Sequence, residues 1–130
     1  MSTFLIALVT TEAATFLIAA LLHTGLQVPL GFAVLSEPRI VPATIVEATA
    51  GLALALSAWG LLARRRWAWS MTLAAHILAL AGVFLGMAAL AAGRGPRTVS
   101  NDVYHRVMVC VLLVGVALLS ARRTKTQIRG

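Results

Sequence analysis

Four apolar runs, each about as long as a membrane is thick, decide what this chain can fold into. A hydrocarbon core about 30 Å deep takes roughly 20 residues of helix. Residues 4–22, 40–62, 67–92 and 103–121 all meet that length with few charges. Backbone polar groups in lipid must be satisfied within their own segment, so each run reads as a helix. The expected fold is all-α: an integral membrane four-helix bundle in a single domain, with a basic tail at 122–130.

Composition agrees. Sixty per cent of the 130 residues are hydrophobic, 12% are charged, and mean hydropathy is +0.92. An ordinary soluble domain is about 45–50% apolar and about 25% charged, so a water-facing surface is not available to this chain. The net charge of +7 resembles that of a nucleic-acid binder only as a bulk number. Arg64, Arg65 and Arg66 fill one gap between runs, and Arg122, Arg123, Lys125 and Arg129 follow the last. That placement suits anionic headgroups, so the expected partner is a lipid bilayer and not nucleic acid. Cys110 is the only cysteine. It allows no intrachain disulfide and is expected to be inert packing.

The gaps carry turn residues. Pro29, Gly31 and Pro38 lie in the first, and Gly93-Arg94-Gly95-Pro96-Arg97 form the third. Pro42 fits the first turn of the second helix. Ser100, Asn101 and Asp102 are candidate N-caps for the fourth. Residues 28–35, VPLGFAVL, are apolar but too short to span, and read as an interfacial or shallow re-entrant segment. The first run has no basic residue before it and carries Glu12 at its middle, so it reads as a retained span and not a cleaved leader.

Basic residues also orient the bundle. With four spans, the side holding the N-terminus, second gap and tail has seven of the eleven Lys and Arg; Arg39, Arg94, Arg97 and Arg106 take the other. The positive-inside bias favours both termini in the cytoplasm. Trp59, Trp67 and Trp69 then make an aromatic belt at the inner interface, and Tyr104 sits near the outer one. An all-helical chain this short is expected in a bacterial inner membrane.

Helices in lipid associate by close packing and polar contacts. The third run carries small residues at alternating spacings of four and three: Ala68, Thr72, Ala75, Ala79, Gly82, Gly86, Ala89 and Gly93. This face is expected to pack inside the bundle, with a homodimer seam as the alternative. Thr44, Glu47, Gly51, Ala55 and Ala58 form a similar face on the second run.

Ionisable groups at mid-bilayer cost about 2.5–3.5 kcal/mol on insertion scales and are functional candidates by default. Glu12, Glu47, His76 and His105 make up that intramembrane set. At about 1.5 Å per residue, Glu12 and His76 lie at similar depths, as do Glu47 and His105, so two level pairs are expected. Glu12, Thr15, Ala19 and His23 share a helix face and sketch a polar track to the outer surface. His23, Glu37, Arg39, Arg94, Arg97, Asp102, Tyr104, His105 and Arg106 gather at that surface. They read as loop-locking salt bridges, such as Glu37 with Arg106, or as an Arg-lined pocket for a carboxylate, phosphate or headgroup.

The outline of four spans with a glutamate midway along the first, Glu12, resembles the small multidrug transporters. The general build is similar to the small four-span membrane proteins of the DoxX type. No site is carried over from either. Three function classes stand. One is a bundle binding a lipid, a quinone or a partner membrane protein as an accessory subunit. The second is a dimeric proton-coupled transporter of a small solute using Glu12. The third is a haem- or metal-binding redox protein, although no metal-ligand motif is present. The sequence names no cofactor and no catalytic residue.

Overall fold

The computed structural model describes residues 3–121. The basic tail at 122–130 lies outside the described residues. Four helices run in chain order: α1 (Thr3–Leu22), α2 (Val41–Leu62), α3 (Ala68–Ala91) and α4 (Val99–Ser120). At 20 to 24 residues each, they are long and apolar enough to cross a membrane. Each packs against the next, and α4 closes on α1.

The interior and exterior are inverted relative to a soluble bundle. Glu12, Glu47, Ser57, Thr72, His76 and His105 are buried, while Leu52, Leu62, Ile77, Leu85 and Leu113 are exposed. The hydroxyls cost the interior little. Thr10, Thr15, Thr49, Ser57 and Thr72 each donate to the carbonyl four residues back in their own helix. The apolar core that remains is built on Phe16, Leu54, Leu61, Leu112 and Leu119.

Helix ends follow local chemistry. Pro42 occupies the first turn of α2. The α4 cap is Thr98, whose hydroxyl accepts from the Asn101 N–H at 3.1 Å. Helix α4 therefore starts earlier than expected, and Ser100, Asn101 and Asp102 lie inside its first turn rather than capping it. At the end of α2, Arg65 N–H donates to Gly60 O (2.9 Å) and Arg64 N–H to Leu61 O (3.2 Å). This paired closure needs a left-handed residue, and Arg64 takes that role with φ 50°.

Residues 28–35, expected as a short interfacial or re-entrant segment, are extended and too short to span. They make a small exposed hairpin, β1 (Val28–Pro29) antiparallel to β2 (Val34–Leu35). Gly31 holds φ 84° at its turn, a value that glycine adopts freely. Phe32 stands 90% exposed at the tip. Ile40 N–H donates to His23 O at 3.0 Å, which ties the start of α2 to the end of α1.

Other expectations change with the packing. Trp59 and Trp67 stack at 5.9 Å with Arg65 over Trp59, but Trp69 turns inward and donates Nε1–H to Leu119 O at 3.0 Å. Tyr104 also points inward, edge-on to Phe16 and His105. Cys110 is exposed rather than packed.

Candidate functional site

The small-residue face of α3 divides in two. Ala68, Thr72, Ala75 and Ala79 are fully buried. Gly82, Gly86 and Ala89 instead line a cavity of about 360 Å³. Gly93 lies beyond the helix with φ 69°, where it terminates α3 rather than packing it. A Cβ at Gly82 would come within 2.6 Å of Val46 on α2, and one at Gly86 within 2.8 Å of His105 Nε2 on α4. Both glycines are therefore committed within this bundle.

In the bundle core, His76 Nε2 lies 3.0 Å from Glu12 Oε2, with both side chains at most 1% exposed. His76 Nδ1 sits 2.8 Å from Thr72 O. A carbonyl only accepts, so Nδ1 carries a hydrogen and Nε2 faces the carboxyl. A proton bridging Nε2 and Oε2 can be drawn on either group, as neutral acid and imidazole or as carboxylate and imidazolium. Either way the pair is neutral overall, which is what burial favours. Neither Glu12 oxygen has an aligned hydrogen bond among the described residues, nor does His76 Nε2. Gly115 on α4 makes room for this pair: a Cβ there would overlap His76 Nε2 and stand 3.4 Å from Glu12 Oε1.

The second level pair differs from expectation. His23 faces Glu47, with Nε2 3.7 Å from Oε1; His105 is not within ion-pair distance of Glu47. The reason is local: the closure of α1 onto α2 carries His23 over the first turns of α2. His23 Nδ1 is 3.1 Å from Pro38 O. His105 Nδ1 is 2.8 Å from Asn101 O. Thus all three histidines of the chain spend Nδ1–H on a backbone carbonyl and turn Nε2 inward.

His23, Glu47, Tyr104 and His105 come together around the cavity, with Val46 and Gly86 also in its lining. Its wall is mainly apolar, which suits a small-molecule site with a few placed polar groups. Glu47 Oε2 and the Tyr104 hydroxyl are buried with no hydrogen-bond partner among the described residues. A second cavity, about 280 Å³, lies across Tyr104 and His23, bounded by Thr15, Ala19 and Glu37.

The chain matches no family model, no curated protein and no solved structure.

The polar track from Glu12 is not continuous. Thr15, Ala19 and His23 line the second cavity, but Glu12 lines neither. The Thr15 hydroxyl is spent on Thr11 O, and Phe16, 1% exposed, lies on the buried face between Glu12 and His23. The outer cluster also separates. Glu37 accepts from the Thr98 hydroxyl at 2.8 Å and from the Ser100 hydroxyl, so it clamps the loop to the α4 N-terminus rather than pairing with Arg106. Arg97 binds Asp102 at 2.8 Å as a local, exposed pair, worth about 0–1 kcal/mol. Arg39 and Arg106 are exposed, and of the four outer arginines only Arg94 borders a cavity. No group of three or more His, Cys, Asp or Glu side chains suited to a metal ion occurs among the described residues.

The sequence reading missed Gly115 and the Thr72 and Asn101 carbonyls. Gly115 left a signal: a helical glycine costs about 1 kcal/mol relative to alanine and asks for a packing reason. The carbonyls left none beyond the i−4 spacing that every helical residue has.

Proposed function

We propose that this chain is a multi-pass integral membrane protein that holds a lipophilic ligand with a small polar headgroup, of lipid or quinone type, as an accessory subunit to a partner membrane protein. The observation that carries this reading is the cavity of about 360 Å³, apolar in most of its wall, with Glu47, Tyr104 and His105 among the residues that line it. Its volume is in the range of drug-sized ligand sites, about 300–1,000 Å³. The membrane setting is supported by the four long apolar helices and by leucines outside and ionisable groups inside. Both termini lie in the cytoplasm in this reading, on the distribution of arginine, and the membrane is a bacterial inner membrane.

Native mass spectrometry of the protein released from membranes tests the proposal. The wild type should carry a lipophilic adduct. Ala43→Trp, which fills the cavity from α2, should lose it while remaining folded. An adduct that survives Ala43→Trp unchanged would refute the site.

A second reading, proton-coupled transport by a dimer, draws support from the buried Glu12–His76 contact at 3.0 Å. It is the weaker one because Glu12 borders neither cavity. Liposome uptake driven by a pH gradient, present in the wild type and lost in Glu12→Gln, would reverse that order.

A further inference from the structure

Three polar functions belong to residues lining the main cavity: Glu47 Oε2 and the Tyr104 hydroxyl, both buried without a hydrogen-bond partner among the described residues, and His105 Nε2, whose ring makes its one described hydrogen bond through Nδ1. Their hydrogen-bonding roles are unequal. A hydroxyl donates or accepts, and a carboxyl does either according to its proton. His105 has no such freedom. Its Nδ1–H is committed to Asn101 O at 2.8 Å, and no carboxylate stands within ion-pair distance of the ring among the described residues. An unpaired imidazolium in an apolar wall is costly, so the ring there is neutral. Nε2 therefore presents only a lone pair. It lies where Gly86 has no Cβ, 2.8 Å from the position that atom would take.

We propose that the cavity selects ligands whose headgroup bears a hydroxyl, with that hydroxyl donating to His105 Nε2 while Glu47 and Tyr104 take the headgroup's other polar atoms. A phenol, hydroquinone or alcohol satisfies the site. A ketone or ether of the same shape leaves Nε2 facing an acceptor. This inference rests on the proposed function, since it names the class of ligand that the same cavity takes. Selection follows the rule that a site built around a hydrogen bond rejects the analogue lacking it.

The test compares 4-nonylphenol with 4-nonylanisole, which differ by one O-methyl group, binding to the full chain in lipid nanodiscs. The phenol should bind about fivefold more tightly, the effect of one net hydrogen bond. His105→Phe should bring the two ligands to equal affinity. In wild-type protein labelled with 15N-histidine, the phenol should move the His105 Nε2 resonance and the anisole should not, a readout that holds even if His105→Phe fails to fold. Equal binding of both ligands to the wild type overturns the hydroxyl selection and leaves the cavity reading standing. Selectivity that persists in His105→Phe but vanishes in Tyr104→Phe also overturns it, by moving recognition to the tyrosine. Failure of both ligands to bind overturns the selection and the proposed function together.

Discussion

Removing Glu12 should hurt this bundle more than removing a comparable volume of hydrocarbon from its surface. In Glu12→Ala, His76 Nε2 keeps its burial and its direction, because Nδ1 stays tied to Thr72 O, but it loses the carboxyl that it faces at 3.0 Å. Breaking a buried pair by deleting one partner costs about 3–5 kcal/mol. Glu12→Gln keeps the shape and supplies an amide N–H to Nε2, so its cost should stay under about 1 kcal/mol, the scale of one net hydrogen bond. Replacing both members, as Glu12→Met with His76→Leu, removes the unpaired group as well as its partner. That double variant should fall within about 2 kcal/mol of wild type, because well-packed apolar pairs substitute for buried ionic ones. The two single losses then fail to add, with a coupling energy of about 2 kcal/mol or more. Reversible unfolding in mixed micelles of maltoside and dodecyl sulfate measures wild type, Glu12→Ala, Glu12→Gln, the singles Glu12→Met and His76→Leu, and the double variant. A cost below about 1 kcal/mol for Glu12→Ala, or equal costs for Ala and Gln, would refute the paired-proton account.

Close approach of α3 and α4 predicts that Gly115→Ala and Gly86→Leu each destabilise by about 1–3 kcal/mol as overpacked sites, while Leu78→Ala on the exposed face of α3 does not; the same micelle assay decides. Arg64→Gly should stabilise by about 1 kcal/mol, because glycine holds φ 50° without the clash of a Cβ; no gain in unfolding free energy would contradict the strain. For orientation, single cysteines at Ser2, Arg97 and Thr126 in a Cys110→Ser background report sidedness. An impermeant maleimide on intact cells should label position 97 and spare both ends, and the reverse pattern would invert the proposed topology.

Helix number and extent were legible in the sequence because about 20 apolar residues in lipid have one backbone solution. The Glu12–His76 contact was within reach for a similar reason: a fixed rise per residue sets depth, and few ionisable groups compete at that depth. Azimuth was harder. His23 and His105 are close in depth, so rise alone does not say which of them faces Glu47; the hydrogen bond from Ile40 to His23 O settles it, and that bond depends on how the loop closes. Tyr104 read as an interface residue by position, yet its ring packs edge-on to Phe16. The cavity was not legible at all. It is lined by residues of all four helices, so it is a property of their packing together. A stripe of small residues marks where backbones can approach, but not how far along the stripe they do.

One spectrum reads all the inward Nε2 atoms, because the chain has only three histidines. In 15N-histidine-labelled protein in bilayers at neutral pH, the account predicts a protonated Nδ1 on each of His23, His76 and His105. It further predicts an unprotonated His105 Nε2, and a His76 Nε2 coupled to a proton that Glu12→Gln visibly displaces. A protonated His105 Nε2, or a His76 signal indifferent to Glu12→Gln, would contradict it.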